Sequence, residues 1–209
     1  FMACGTLTVC NGTPARLFRI SFSGELAYEI AVPARFGDAL IRVLMEAGEE
    51  FGVTPYGTEA LGVMRIEKGH PAGGELNGQT TALNLGMANM VSPKKDSIGS
   101  VLSKRPGMQS DDAFELVGLK PVKTDEQLSA GAHFLDIGAA ATLENDLGWM
   151  SSVTYSPIMG HHIGLGFIKY GHIRKGEVIR AWDGLRRTDI EVEITSPHFY
   201  DPDGGLQRG

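Results

Sequence analysis

The chain has 209 residues, of which 42% are hydrophobic, enough to bury a core in one large domain or in two small ones. Its formal net charge of -6 and its pI near 5.5 disfavour a general nucleic-acid binder, because neutralising phosphates requires a basic face. The sequence has neither a long apolar run nor the basic flank of a signal peptide, so it predicts a cytoplasmic protein without a membrane span.

The first predicted elements are two strands and three helices. Alternating apolar residues predict strands over residues 15–22 and 27–32, with turn chemistry at Ser23 and Gly24 between them. Helical spacing predicts a helix from Phe36 to the glycines at 48 and 52, and a second from an N-cap at Thr58 to Lys68, followed by a left-handed Gly69. A third, shorter helix is expected after Asp96, with Ile98, Val101 and Leu102 inward and Pro106 as its stop.

The periodicity changes after a polar, breaker-rich segment over residues 105–112, where the domain boundary is expected. This divides the chain into domains 1–108 and 109–209. The second domain contains six short strand-like runs separated by glycine-rich turns, a pattern that favours a small antiparallel barrel or sandwich. The runs are 114–119, 133–137, 149–155, 163–169, 178–182 and 190–194.

Glu29 is the first candidate binding residue. On the second predicted strand it is flanked on its own face by Ala27 and Ala31, so its carboxylate lies beside almost no side-chain bulk. Such a face suits a flat ligand that presents paired N–H donors. A carboxylate that points into solvent from an edge strand gives the same pattern, and the pattern alone does not decide between the two.

Two other residues admit both a structural and a binding role. Phe22 ends the first predicted strand, and its ring is either part of the core or the wall of a ligand site. Arg65 lies on the second helix and is able to pair with Glu67, with Glu29 or with a ligand, because guanidinium binds carboxylates in a bidentate manner. A structural ion pair is the commoner outcome for such an arginine.

No metal or nucleotide site is predicted. Cys4 and Cys10 form neither a disulfide framework nor a zinc motif, and the six histidines show no ligand spacing. The glycine-rich segments at 69–74, 160–166 and 203–205 do not match the dinucleotide or P-loop patterns in a strand-to-helix context. The basic pairs Arg174-Lys175 and Arg186-Arg187 are either solvated turn residues or an anion or subunit contact.

The order of several motifs is more specific than any one of them. From about residue 15 onwards the chain resembles the second half of the glycine-cleavage T-protein or aminomethyltransferase family. The motifs are SFSGELAYE, MRIEKG with GELNGQTT, KKDSIG, FELVGL, SSVTYSP with IGLGFI, and SPHFYDPDGG. Within that family, RLFRISFSGE and HFYDPDGG are most similar to the C-terminal region of the alpha subunit of heterotetrameric sarcosine oxidases.

The resemblance implies an α+β fold, namely part of an aminomethyltransferase-like folate-binding domain followed by a small antiparallel β-barrel. It also implies that the front half of the folate-binding domain precedes Phe1 and that the chain is a fragment not active alone. The expected ligand is tetrahydrofolate, and the expected activity is the uptake of the one-carbon unit of oxidised sarcosine to form 5,10-methylenetetrahydrofolate. FAD, FMN and NAD are expected in the wider complex and not in this chain, whose partners would be the other oxidase subunits.

The family motifs also imply residue roles, with no catalytic residue assigned. Glu29 matches the glutamate that binds the pterin, Phe22 matches an upstream aromatic position, and Arg65 matches the retained arginine of the second helix. Tyr200 falls near a C-terminal tyrosine that approaches the ligand. Leu61 stands where T-proteins usually carry a second arginine, so that contact is not carried over.

Two alternatives remain open. In the first alternative, the chain is a scaffold or interaction module of an oxidase complex, with an incomplete folate pocket. In the second, it is part of another aminomethyltransferase-like enzyme, such as a dimethylglycine oxidase tail or a folate-dependent demethylase.

Overall fold

The computed structural model describes residues 1–110 and 112–209. The contacts divide the chain into two compact units. The sheet unit comprises Phe1–Arg65 and Asp201–Gly209, and the barrel unit comprises Ile66–Tyr200. Asp111, inside the predicted boundary segment, lies outside the described residues, and the boundary after residue 108 stays a prediction.

The sheet unit contains a three-stranded antiparallel sheet in the order β1, β2, β3. The strands are Cys4–Val9, Thr13–Phe18 and Glu29–Ala31. Strand β1 was not predicted from the sequence. It is joined to β2 by a tight turn in which Asn11 has a φ of 57° and Gly12 one of 114°. Asparagine and glycine tolerate the left-handed region, so this turn fits a short hairpin.

The first predicted strand is too long at its C-terminal end. Its pairing with β3 stops at Phe18, and residues 19–28 form an irregular connection. The Ser21 hydroxyl accepts a hydrogen bond from the Gly24 N–H at 3.0 Å, and Gly24 has a φ of 89°. This local side-chain bond and the left-handed glycine bend the chain, and the connection over residues 19–28 is longer than the predicted one over residues 23–26.

Two predicted helices are confirmed, one within the sheet unit and one that runs across the boundary between the units. They are α1, Gly37–Gly48, and α2, Thr58–Lys68. Gly69 follows α2 with a φ of 76°, and Gly52 follows the 3-10 turn Glu49–Phe51 after α1 with a φ of 68°, as expected for glycines at helix ends. A short α3, Gly205–Arg208, follows near the C-terminus. Across the described residues no helix combines the length and the apolar character that a membrane crossing needs.

The predicted third helix after Asp96 is wrong. The segment contains only single 3-10 turns, at Leu102–Lys104 and Pro106–Met108. Ile98 and Val101, expected inward, are 101% and 75% exposed. Helical spacing of three apolar residues does not stabilise a helix when no neighbouring surface buries them, and the segment is also rich in glycine and serine.

The barrel unit confirms the six predicted strands, which close into an antiparallel barrel in the order β4, β7, β6, β5, β8, β9. Their bounds are Phe114–Pro121 (β4), His133–Leu135 (β5), Gly148–Ser156 (β6), His161–Lys169 (β7), Val178–Asp183 (β8) and Thr188–Thr195 (β9). Alternating side chains of these strands fill the interior. Leu119, Phe134, Ile179, Val192 and Ile194 are fully buried there.

The turn between β8 and β9 is closed by a buried carboxylate. Asp183 Oδ1 accepts hydrogen bonds from the Leu185 and Arg186 N–H groups at 2.9 and 3.0 Å, and its Oδ2 accepts one from Arg186 Nη1 at 2.6 Å. These bonds lower the pKa of Asp183 below its ordinary 3.8, and the bond from the Arg186 side chain has the largest effect. The charged form therefore stabilises the folded barrel.

Replacing Asp183 with asparagine is expected to lower the melting temperature at neutral pH. A carboxylate with a lowered pKa contributes stability above its ordinary value and loses it as the pH falls through the folded value. The difference in melting temperature between wild type and variant should therefore narrow below pH 3.8. Exposed Asp125 offers a matched asparagine control. A difference that stays constant throughout the acid range would contradict this role.

Candidate functional site

The face of the sheet that carries Glu29 is defined by the strand register. Phe18 lies opposite Glu29, and Arg16 lies opposite Ala31, in the antiparallel pairing of β2 and β3. Residues directly opposite each other, and residues two apart on one strand, point to the same face. The side chains of Arg16, Phe18, Glu29 and Ala31 therefore share one face. For Ala31 this agrees with the alternation predicted from the sequence.

Glu29 is exposed on this face, and its carboxylate forms no ion pair or side-chain hydrogen bond with another described residue. Ala31 and Phe18 beside it are half-buried. Ala27, expected to be the second small neighbour, lies outside β3 in the connecting loop. The surface beside Glu29 is therefore flat on the Ala31 side, and both carboxylate oxygens remain open to donors.

A positive charge and an aromatic ring lie near this carboxylate. The Arg16 guanidinium carbon is 5.7 Å from the centroid of the Phe18 ring, a distance typical of a cation–π contact. The contact holds the cation over the ring on the same face as Glu29. The face thus presents an acceptor, a ring and a donor without steric bulk at Ala31.

Phe22 lies in the loop between β2 and β3 and is 39% exposed. The loop is held by Arg19, which is only 9% exposed. Its guanidinium donates to the Ala27 carbonyl at 3.3 Å and to the Gln207 carbonyl at 2.9 Å, and its carbon lies 5.3 Å from the Tyr28 ring centroid. Arg19 lies within the strand predicted over residues 15–22. No sequence signal distinguishes a buried arginine that fixes a loop from an exposed one.

A groove of about 440 Å³ lies against the three strands of the same unit. It is lined by Thr6, Leu7, Pro14, Ala15, Arg16, Ala31, Val32 and Pro33. Arg16 and Ala31 belong both to this lining and to the face of Glu29. The hollow is mostly apolar, and Glu29 is not among its lining residues.

The other two predicted binding residues lie at the ends of their units. Arg65 is half-buried in the last turns of α2 and belongs to the sheet unit with Glu29 and Phe22. Tyr200 belongs to the barrel unit, where its N–H donates to the Glu67 carbonyl at 3.0 Å. The structure therefore assigns three of the four predicted residues to one unit, and their roles toward a ligand stay predictions.

Two buried carboxylates of the barrel unit were not singled out from the sequence. Glu75 is fully buried, and its Oε1 accepts hydrogen bonds from the Ser151 and Ser152 hydroxyls at 2.6 Å each. Glu67 is 3% exposed and accepts one from the Ser156 hydroxyl at 2.6 Å. Glu67 joins the last turn of α2 to strand β6, and Glu75 joins the segment after α2 to the same strand, so their role is architectural. Among the described residues no cluster of three His, Cys, Asp or Glu has the arrangement of a metal site.

The Glu29 face is suited to binding more than to bond cleavage. A carboxylate with two free oxygens accepts a ring N–H and a neighbouring amine in one plane. No nucleophile with a positioned base accompanies it among the side chains described above. The arrangement therefore points to recognition of a flat, nitrogen-rich group.

Two models of one protein family match the chain. The GCVT N-terminal domain matches residues 1–95, and the glycine cleavage T-protein C-terminal barrel domain matches residues 115–201. The second match coincides with the closed barrel, so the predicted fold class is confirmed.

The similarity to sarcosine oxidase alpha subunits predicted from the motifs is confirmed as well. The chain is 45% identical, over 89% of its length, to the sarcosine oxidase subunit alpha of Rhizobium meliloti, of which it covers 19%. It is 37% identical over its whole length to that of Corynebacterium sp. strain P-1, of which it covers 22%. The chain thus spans about a fifth of the length of these relatives.

A solved structure supports the fold. The glycine cleavage system aminomethyltransferase T from Bartonella henselae superposes with a TM-score of 0.74 over 90% of this chain and 50% of that one, at 21% identity. The two family models together extend over both units, from the strands that carry Glu29 to the end of the barrel. The chain therefore belongs to the glycine cleavage T-protein family.

Proposed function

We propose that this chain is the tetrahydrofolate-binding portion of a cytoplasmic sarcosine oxidase alpha subunit. The observation that carries the proposal is the open carboxylate of Glu29 on a strand face with Ala31 and Phe18. The similarity to sarcosine oxidase alpha subunits and to the two glycine cleavage T-protein domains supports the ligand class. The other oxidase subunits would be its partners, and FAD, FMN and NAD would be bound outside this chain.

In this proposal Glu29 binds the head of the pterin. One carboxylate oxygen accepts the ring N–H and the other accepts the exocyclic amine, which is the planar pairing that a carboxylate makes best. Phe22 packs against the ring, and Arg65 and Tyr200 border the ligand. Because Glu29 is exposed in this chain, the ligand itself must cover the carboxylate for the pairing to be strong.

The proposed reaction joins a one-carbon unit to the bound folate. Formaldehyde or an imine, generated by flavin oxidation elsewhere in the complex, forms bonds from its carbon to the two folate nitrogens and releases water or the amine. The product is 5,10-methylenetetrahydrofolate. This chain contributes by holding the folate in a fixed orientation, and positioning of this kind lowers a barrier by several kcal/mol.

Replacing Glu29 with glutamine is expected to weaken tetrahydrofolate binding by about 2 kcal/mol, or roughly thirtyfold. Glutamine keeps the size of the side chain but turns one acceptor into a donor that opposes the pterin amine. The measurement is anaerobic titration calorimetry of the intact protein that carries this chain. The fold should be unaffected, because the side chain is exposed.

The matched control is Glu46 to glutamine, since Glu46 is an exposed carboxylate on α1. Its variant should bind tetrahydrofolate like the wild type. Equal affinities for the Glu29 and Glu46 variants would remove Glu29 from the site. If neither the chain nor the longer subunit binds tetrahydrofolate, a scaffold role in the oxidase complex replaces the proposed function.

A further inference from the structure

A second hollow lies wholly within the barrel unit, at one edge of strand β4. Its volume is about 280 Å³. It is lined by Leu83, Asn84, Gly86, Glu115, Leu116, Val117, Gly171, His172, Lys175, Thr195, Ser196 and Pro197. Three segments around β4 form its walls, residues 83–86, 171–175 and 195–197. Its lining includes none of the residues proposed for folate, Glu29, Phe22, Arg65 and Tyr200.

The wall formed by residues 83–86 is fixed to β4 through Asn84. This side chain is 5% exposed, and its Nδ2 donates to the Phe114 carbonyl at 2.8 Å. Its backbone carbonyl accepts the Leu116 N–H at 2.8 Å. Its Oδ1 accepts from the Thr81 N–H at 2.8 Å and from the Thr81 hydroxyl at 2.6 Å. A wall held by so many bonds keeps its position before a ligand arrives.

The wall formed by residues 171–175 is fixed by ion pairs and close packing. Glu115 accepts hydrogen bonds from the His172 backbone N–H at 2.7 Å and from its ring Nδ1 at 2.8 Å. Arg174 pairs with Asp136 and Glu177. At Gly171 a side-chain carbon would lie 2.8 Å from the nearest Val117 methyl group, so this turn lies directly on β4. The hollow is therefore preformed, which reduces the ordering cost of binding.

The rim carries one carboxylate and one ammonium, and the carboxylate is already engaged by its neighbours. Glu115 uses both oxygens on His172, whose Nδ1 approaches them at 2.8 and 2.9 Å. Lys175 is exposed at the same rim, and its ammonium forms no ion pair with a residue that the structure describes. The Ser196 hydroxyl lines the hollow as well. The rim thus offers an ammonium without an ion-pair partner among the described residues, with a hydroxyl nearby, above an interior of leucine, valine and proline.

We propose that this hollow binds a small organic acid with a short hydrocarbon body. The acid group would lie at the rim, where Lys175 provides the charge, and the hydrocarbon would lie against Leu116, Val117 and Pro197. Burial of that hydrocarbon provides the main driving force, at about 25 cal/mol per Å² of apolar surface. The ammonium selects an anion over a neutral or cationic group of the same shape.

The test compares three fluorinated probes of one shape and different charge. 4,4,4-Trifluorobutyrate, 4,4,4-trifluorobutylamine and 4,4,4-trifluorobutanol are titrated with the intact protein, and binding is followed by the ¹⁹F line width of the probe. The butyrate should bind in the low-millimolar range and the alcohol and amine at least about fivefold more weakly. An amine or alcohol that binds as tightly as the acid would overturn the proposal.

Two variants assign the binding to this hollow. Lys175 to methionine keeps most of the stem but removes the charge, and should weaken butyrate binding about fivefold. Leu83 to aspartate, at an exposed wall position, adds an opposing charge and should weaken it further. Lys123 to methionine, at an exposed lysine outside the hollow, is the control and should change nothing. Butyrate binding that is absent, or equal in all variants, would contradict the site.

Discussion

Replacing Phe167 with alanine is expected to lower the free energy of unfolding of the barrel unit by about 3–5 kcal/mol. Phe167 is fully buried at the centre of β7, between Leu116 of β4 and Trp149 of β6. Its ring centroid lies 5.5 Å from that of Trp149. Alanine removes the ring and leaves a cavity that paired strands on both sides prevent from collapsing, so the transfer and cavity costs add.

The measurement is urea unfolding followed by tryptophan fluorescence. Both tryptophans of the chain, Trp149 and Trp182, lie on barrel strands, so the signal reports the barrel unit alone. This separates the barrel transition from that of the sheet unit, which need not unfold with it. Trp149 contacts the altered ring, so the fluorescence baseline of the folded state will shift. Wild type and variant are therefore compared by the midpoint and the slope of the urea transition.

The control is alanine at Phe51, which is 81% exposed. That change should alter the barrel transition by less than about 0.5 kcal/mol. Leucine at position 167 should cost about 1–2 kcal/mol, because it refills part of the volume. A Phe167 to alanine variant that loses less than about 1 kcal/mol would show that β7 is not the packing centre of the unit.

The barrel was predictable from the sequence because its strands have a clear alternation of apolar and polar residues and glycine-containing turns between them. Strand β9 alternates strictly between residues 190 and 194, and glycines mark the turns between the runs. The helices α1 and α2 were predictable for a similar reason, since left-handed glycines follow them, Gly69 directly after α2 and Gly52 after the 3-10 turn Glu49–Phe51 that continues α1. In these elements local preference and tertiary burial agree.

The misses occur where local pattern and burial diverge. Strand β1 has alternating Thr and Leu or Val, and the Asn11-Gly12 pair after it is typical of a hairpin turn, so the sequence does contain a signal for this strand. The helix expected after Asp96 has the right spacing but no surface to pack against. Spacing alone predicts a possible apolar face, and only the rest of the fold decides whether that face is buried.

The candidate site was predictable only in part. The strand pattern indicated that Glu29 and Ala31 share a face, and the register confirms it. It could not indicate that Arg16 and Phe18 lie opposite them, because the connecting loop is longer than the predicted turn. Nor could it indicate that Arg19 fixes that loop, since its partner Gln207 is 188 residues away. Contacts at such separations leave no local signal.

Glu75 is the strongest example, and its replacement by alanine is expected to destabilise the barrel unit by about 3 kcal/mol or more. The carboxylate is fully buried and accepts hydrogen bonds from the Ala72 N–H at 2.8 Å and from the hydroxyls of Ser151 and Ser152 at 2.6 Å each. The register of β6 with β7 shifts between Met150 and Ser152, so two consecutive serines reach one oxygen. Alanine would remove the acceptor that the Ala72 N–H and the two serine hydroxyls share.

Three further variants separate the hydrogen bonds from simple loss of volume. Glutamine at position 75 keeps an acceptor for the serines and should cost only about half as much, whereas leucine keeps the volume but accepts nothing and should cost as much as alanine. Combining Glu75 to alanine with alanine at both serines should cost less than the sum of the separate changes by at least about 1 kcal/mol. Glu193, whose ion pair with Lys120 is partly exposed, is the control and should cost under about 1 kcal/mol. Strictly additive losses in the urea transition would mean that the serines and Glu75 stabilise the barrel independently, contrary to the network that joins the segment after α2 to strand β6.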